Sequence, residues 1–262
     1  SSFITLGEET IISAKAFEPQ ILEWDNLWKA PEFQSVKPSL ENTWEGLFTP
    51  RLNLSQRPVE LKSWSDAQCE LVIKGLCFGV QEYATKSGFK NFLVALSGGI
   101  DSALVLALIK ISLKPGQTVE AIYMPSIHSS SLSTQLADEM CRRIGIKMQF
   151  LPIKFLHSSV KNAFTSTFAE PFSGLTDENI QSRLRGALLY TRSNQTGAMV
   201  VNTSNKSELA VGYSTQYGDS VGAISMLGDL FKTEVYRLSE YVNQHYGHLI
   251  PEGIIERGPS AE

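Results

Sequence analysis

The chain has 262 residues, 42% hydrophobic and 19% charged, which suits one large domain with an appendage better than two equal domains. Its formal net charge of −4 offers no general attraction to nucleic acid or to an anionic membrane, so neither partner is expected and any basic site is local. No run approaches the ~20 apolar residues that cross a bilayer, no basic segment followed by an apolar core opens the sequence, and Cys69, Cys77 and Cys141 lack Cys-x-x-Cys spacing, so buried thiols and a cytoplasmic location are expected.

Residues 1 to 25 read as short strands, Phe3 to Thr5, Thr10 to Ser13 and Gln20 to Trp24, the first two joined by a Gly7-Glu8-Glu9 turn. They are too few to make a core of their own. Residues 26 to 64 hold Pro31, Pro38, Pro50 and Pro58, just after Pro19, together with Trp28, Trp44 and Trp64, and read as a connector that packs through aromatics. From Ser65 helices and strands alternate. A helix over about 65–87 opens on the capping pair Ser65-Asp66, and an apolar strand runs from Phe92 to Leu96.

That strand enters Ser97-Gly98-Gly99-Ile100-Asp101-Ser102, and a helix from Ala103 to Leu113 leaves it. Paired glycines at a strand-to-helix turn let backbone N–H groups crowd round an anion, and the helix start adds aligned dipoles, so the turn suits a phosphate or pyrophosphate. Asp101 would repel a phosphate unless a divalent cation lay between them, which implies magnesium and turns the cradle into an ATP site. Neither G-x-x-x-x-G-K-[ST] nor G-x-G-x-x-G occurs, which removes the main support for P-loop and standard dinucleotide readings.

A strand at Thr118 to Tyr123 follows, then a helix from Ser131 to Ile144 closed by Gly145, and a strand at Lys147 to Ile153. A long helix over Asp177 to Ser193 carries Asn179, Arg183 and Arg185. The two arginines stand about 200° apart on a helix, so one holds a phosphate or carboxylate while the other packs against a partner or an acidic helix. Arg183 shares a face with Asn179 and is assigned to the ligand side. The strand Ala198 to Val201 then delivers Asn202 to Glu208 to the same carboxyl edge as Asp101. Glu208 is the natural second carboxylate for magnesium, and Thr203 supplies a hydroxyl to phosphate or base. Tyr217-Gly218-Asp219 lies in a glycine- and serine-rich loop able to close over substrate. Lys232 begins a last helix that runs to Tyr246; the helix dipole disfavours a cation there, so it is assigned to a leaving pyrophosphate. His245 and His248 have no third ligand nearby and read as a solvent-facing pair. Alternating strands and helices predict an α/β fold, a parallel sheet covered on both faces with ligands beyond the strands' carboxyl ends.

The loop Ser97 to Ser102 resembles that of the ATP pyrophosphatases. Taken with Glu178-Asn179-Ile180-Gln181-x-Arg183-x-Arg185, Asn205-Lys206-Ser207-Glu208 and Tyr217-Gly218-Asp219, the sequence from about 65 to 262 resembles the NAD synthetase family, glutamine-dependent subtype. The resemblance implies a five-stranded parallel sheet of the adenine-nucleotide alpha-hydrolase-like, Rossmann-like kind. It also implies a ligase that amidates deamido-NAD to NAD through an acyl-adenylate, with ATP as co-substrate and Mg2+ on Asp101 and Glu208. Ser97, Gly98, Gly99, Asp101, Ser102, Thr203, Lys232 and Ser260 would hold ATP, and Asn179, Arg183 and Asp219 would hold deamido-NAD. Ser260 is reached through Pro259-Ser260-Ala261-Glu262, similar to a late P-[ST]-A-[DE] segment of the family. A homodimer is expected, as is an upstream glutaminase domain of which residues 1 to 25 resemble the last strands, so that ammonia or glutamine-derived ammonia is the nitrogen source. Two rivals differ in kind: another adenylating enzyme of the same fold, and a nucleotide-binding module without turnover, which would need no second carboxylate.

Overall fold

The computed structural model describes residues 3–6, 9–13, 17, 63–168 and 170–258. The strand expected at Gln20 to Trp24, most of the connector and Ser260 lie outside the described residues. The chain divides into two units, 1–62 and 63–262. In the first, β1 (Phe3–Leu6) pairs antiparallel with β2 (Glu9–Ser13), close to the expected hairpin.

The second unit runs α1 (Asp66–Lys86), β3 (Asn91–Leu96), α2 (Ile100–Ser112), β4 (Thr118–Tyr123), α3 (Ser131–Ile144), β5 (Met148–Phe150) and α4 (Lys154–Phe168). It continues with α5 (Leu175–Thr196), β6 (Met199–Asn202), α6 (Lys206–Val211), β7 (Ile224–Ser225), α7 (Lys232–Tyr246) and α8 (Glu252–Glu256). The five strands stand in the order β5-β4-β3-β6-β7, every neighbouring pair parallel. Successive side chains of a strand point to opposite faces. Accordingly Phe92, Val94 and Leu96 of β3 join the core beneath α1, α2, α3 and α7, while Leu93 joins Ile122, Val200 and Leu189 beneath α5. Both faces are covered, as expected of a parallel sheet.

Central to the larger core is α2, in which Ile100 and every residue from Ser102 to Ile109 are buried and Asp101 alone of the first ten is half-exposed. Its burial anchors the turn that precedes it. Cys69 and Cys141 are buried as expected, whereas Cys77 is only partly buried and donates to the Leu108 carbonyl at 3.6 Å. His245 stacks on Tyr241 with ring centroids 4.1 Å apart, and His248 turns toward Glu252, so the two do not face a common ligand. No described helix is long and apolar enough to cross a membrane.

Helix α4 occupies a stretch to which the sequence reading assigns no element. Its sequence mixes Ser, Thr and Lys with an apolar series at Leu156, Val160, Phe164 and Phe168, a helical spacing that the sequence reading passes over, and His157 is its buried residue. Short β7 and α8 are likewise unassigned, while β5 is shorter and α5 longer than their expected bounds. Polar contacts join α4 to α5, where His157 Nε2 lies 3.0 Å from Asp177 Oδ1 and Lys161 Nζ donates to the same oxygen at 3.2 Å, while Phe164 packs on Phe172 with ring centroids 5.6 Å apart. Burial opposes ionisation of Asp177, yet the bonds to Lys161 and His157 outweigh it and hold this carboxyl below its ordinary range. A lowered carboxyl pKa contributes stability above the unfolded-state pKa, lost as pH falls through the folded one. We expect Asp177→Asn to destabilise the α4–α5 junction by about 1 kcal/mol, after discounting solvent screening of Lys161. Hydrogen exchange near neutral pH should show faster amides in α4, and the difference from wild type should vanish in acid.

Candidate active site

The turn between β3 and α2 braces itself. Ser97 N–H donates to Ser102 Oγ at 3.2 Å, Gly99 N–H donates to Ser97 Oγ at 3.2 Å, and the Ser102 hydroxyl donates to the Gly99 carbonyl at 3.1 Å. Gly98 has φ +82°, and a Cβ there would stand 2.6 Å from the Ser133 carbonyl on the first turn of α3. Only glycine permits both the left-handed backbone and that approach.

Beside this turn the structure brings together Asp101, Glu208 and Lys232. Lys232 Nζ bonds Asp101 Oδ2 and lies 3.8 Å from Glu208 Oε1. Lys232 is the first residue of α7, as expected, but it faces the two carboxylates; its backbone N–H is taken by Ser207 Oγ at 3.0 Å. Glu208 has its pKa raised, first by burial and then by the charge of Asp101. Two carboxylates that face one shared cation are a donor set suited to a hard divalent ion. Among the described residues no group of three or more His, Cys, Asp or Glu could hold a metal alone. Magnesium commonly takes one or two carboxylates and fills its remaining positions with phosphate oxygens and water, so the residues present fit it as a nucleotide-linked ion. Thr203 lies half-buried on the turn after β6.

Asn179, Arg183 and Asp219 are gathered at a second place, where α5 meets residues 215–219. Asn179 Oδ1 accepts from Thr215 Oγ1 at 2.8 Å, and Arg183 Nε donates to the Gln216 carbonyl at 3.2 Å. Asp219 Oδ1 accepts the Thr215 N–H at 2.7 Å, and Ser182 Oγ donates to Asp219 Oδ2 at 3.4 Å. The approach is close: a Cβ on Gly186 would stand 2.7 Å from the Tyr217 carbonyl. Tyr217 itself adopts φ +64° and leaves its side chain in solvent, 72% exposed. Arg183 and Asn179 border an open groove of about 270 Å³ walled by Phe164, Phe172, Leu175 and Ile180. Arg185 departs from the expected partner or acidic helix. Its Nε donates to the Met124 carbonyl at 2.9 Å, because its face of α5 looks onto the end of β4.

Both places are tied to the β6–α6 turn. Asn202 Nδ2 and Ser204 Oγ donate to the Asp219 carbonyl at 2.9 and 3.3 Å, while Asn205 Nδ2 donates to Asp101 Oδ1 at 2.8 Å. Sequence reasoning singled out none of these three as site residues. The Asn205-x-x-Glu208 spacing is a capping-box signature that marks the start of α6, and that box is present, but nothing local reveals the bond to Asp101.

For the turn we expect Gly98→Ala to weaken ATP binding about tenfold or more, since the left-handed conformation costs a side chain about 1–2 kcal/mol and the new methyl must displace α3. Gly116→Ala is the control, since Gly116 shares a φ of +81° but has nothing within 4 Å of the added carbon. Nucleotide titration should show the loss for Gly98→Ala and near-normal affinity for Gly116→Ala.

A family profile described as NAD synthase matches residues 72–262. The chain is 44% identical to a glutamine-dependent NAD(+) synthetase of Xanthomonas campestris over 185 residues, which are 70% of this chain and 33% of that one. Among solved structures it resembles the glutamine-dependent NAD+ synthetase of Acinetobacter baumannii in complex with ADP, at 38% identity and TM-score 0.69, covering 74% of this chain and 36% of the other. It also resembles an NMN synthetase of Francisella tularensis, at 27% identity and TM-score 0.64, covering 76% of each chain. The chain thus spans about a third of the length of the curated relatives it matches. With a match that begins in α1 and takes in the glycine turn, both carboxylates and the α5 motif, the chain belongs to the NAD synthase family.

Proposed function

We propose that this chain carries out the ATP-dependent amidation of deamido-NAD to NAD, as the synthetase part of a glutamine-dependent enzyme. The observation that carries the reading is the convergence of Asp101 and Glu208 beside the Gly98 turn, at the carboxyl ends of neighbouring strands. The nicotinate carboxylate is a poor electrophile because its charge repels nucleophiles. Its oxygen attacks the α-phosphorus of ATP, the bond from that phosphorus to the β-phosphate's bridging oxygen breaks, and pyrophosphate leaves. Ammonia then attacks the acyl carbon, loses a proton, and AMP departs with the electron pair of the broken C–O bond.

In this reading the N–H groups of the Ser97–Ser102 turn and its serines hold the phosphates, and Thr203 contacts the nucleotide. Asp101 and Glu208 would hold magnesium, which when bound neutralises charge on the phosphates. Lys232 adds a cation beside the leaving pyrophosphate. Asn179, Arg183 and Asp219 orient deamido-NAD, and Ser260 belongs to the nucleotide site by resemblance. No nucleophilic side chain is required. The thiols are ill suited to be one: burial pushes Cys77 up to about 12 and Cys141 up to about 11. We therefore assign residues 1–25 to the end of a glutaminase domain, 26–64 to the connector and 65–262 to the synthetase. The length of the curated relatives supports this division. The free thiols fit a reducing, cytoplasmic setting.

The test is formation of AMP and NAD from ATP, magnesium, deamido-NAD and ammonium, at a pH that supplies free ammonia. We expect turnover with ammonium and none with glutamine as sole nitrogen source. Nicotinate mononucleotide in place of deamido-NAD examines the alternative suggested by the Francisella relative, and a preference for it would replace our substrate. In the same assay Arg183→Ala should weaken deamido-NAD by about 1.5–3 kcal/mol, the scale of a hydrogen bond to a charged group, with little effect on ATP; equal losses would mark Arg183 as structural.

A homodimer belongs to the same proposal. Phe164 and Phe168 of α4 are exposed side by side, ring centroids 5.4 Å apart, an apolar surface of the kind that subunit contacts cover. Sedimentation at micromolar concentration should give twice the chain mass, and a fully active monomer would remove the dimer.

A further inference from the structure

Asn205 is wholly buried, at 0% exposure, although it stands only one residue before α6. It touches both carboxylates of the site. Its side-chain Nδ2 donates to Asp101 Oδ1 at 2.8 Å, and its backbone N–H donates to Glu208 Oε2 at 3.2 Å. Its Oδ1 meanwhile accepts the Glu208 N–H at 3.0 Å, capping the helix. One oxygen of each carboxylate is thereby occupied. The other two, Asp101 Oδ2 and Glu208 Oε1, are the oxygens that face the ammonium of Lys232.

The cap alone does not call for asparagine. Serine, threonine and aspartate cap helices about as well, because the cap uses only an acceptor oxygen. What distinguishes asparagine is the amide donor at the other side of the same group, and here that donor reaches a carboxylate 104 residues away. Aspartate would set a third negative charge against Asp101, and serine would be too short to reach it. Hydrogen bonds to a charged acceptor are roughly twice as strong as neutral ones, and burial keeps water from replacing this one.

We propose that Asn205 is a positioning residue for the cation site, selecting which oxygen of Asp101 and which of Glu208 is presented to the metal. The inference rests on the reading that those two carboxylates carry magnesium. Asn205 orients the carboxylates from behind, so its loss should raise the demand for metal before it affects the fold or the binding of deamido-NAD. Groups that orient metal ligands typically contribute about 10- to 100-fold in metal affinity.

The variant that separates the two roles is Asn205→Ser, which keeps the cap and loses the amide; Asn205→Ala loses both, and Asp101→Asn serves as reference. The probe is Mn2+, followed by electron paramagnetic resonance with protein and a non-hydrolysable ATP analogue, alongside thermal unfolding without nucleotide and the magnesium dependence of pyrophosphate release. We expect Asn205→Ser to melt below wild type but above Asn205→Ala, since it keeps the cap and loses one buried hydrogen bond, to bind Mn2+ about 10- to 100-fold more weakly, and to shift the half-activating magnesium concentration upward by a similar factor. Its KM for deamido-NAD should change less than twofold. Wild-type Mn2+ affinity in Asn205→Ser, with affinity lost in Asp101→Asn, overturns the role of Asn205 alone. Unchanged affinity in Asp101→Asn overturns the metal assignment itself and this inference with it. A melting point for Asn205→Ser as low as that of Asn205→Ala also overturns it, because the residue would then act through the fold.

Discussion

Two negative charges held close together at the ends of neighbouring strands are the constraint around which this structure is arranged. Asp101 and Glu208 come from α2 and α6, and each is placed by the strand before it. The register of β3 on β6, Phe92 opposite Met199 and Val94 opposite Val201, brings the two strand-to-helix turns to the same edge of the sheet. The repulsion is visible in Glu208, whose carboxyl is held above its ordinary range by burial and by Asp101. Lys232 compensates from a third element, α7. Such a site is held by the core beneath it. Burial of nearly the whole of α2 leaves its first turn no freedom to retreat from the second carboxylate.

The second half of the site depends on contact between backbones. Residues 215–219 lie so close to α5 that Gly186 and Gly218 have no room for a side chain. Asn202, at the end of β6, secures the same loop by donating to the carbonyls of Asp219 and Val221 at 2.9 and 3.1 Å. Tyr217 is held there with a positive φ, a conformation costing of order 1–3 kcal/mol that persists only where its surroundings over-determine it. Arg183 and Asn179 of α5 are bonded to this loop, and Asn202 and Ser204 tie the loop to the β6–α6 turn that leads to Glu208. Such fixed spacing is what the proposed adenylation would require.

Strong local signals made much of this legible in advance. The apolar run into Ser97-Gly98-Gly99 and the apolar helix leaving it declare strand, turn and helix, because a fully buried element must be apolar along its whole length. Gly145 closes α3 in the left-handed conformation, as its position after Ile144 implied. By contrast α4 interleaves Ser, Thr and Lys with its apolar residues, and its contacts with Asp177 and Phe172 lie well outside any local pattern. The choice of Arg183 over Arg185 followed from helix geometry, but the partner of Arg185 did not, since the Met124 carbonyl lies 61 residues away in sequence.

The sequence by itself determined the alternation of strands and helices, the glycine turn, and the kinds of side chain that gather at the carboxyl edge, because burial period, φ preference and charge act within a few residues. Only the tertiary structure decided that Lys232 faces the carboxylates, that Asp219 braces its own loop through Thr215, and that Asn205 reaches Asp101. Those pairings depend on strand order and on how α5 and α7 are set against the sheet. No local propensity encodes them, since each is settled by the packing of segments distant in sequence, and hydrogen-bond partners follow once that packing has removed water from between them.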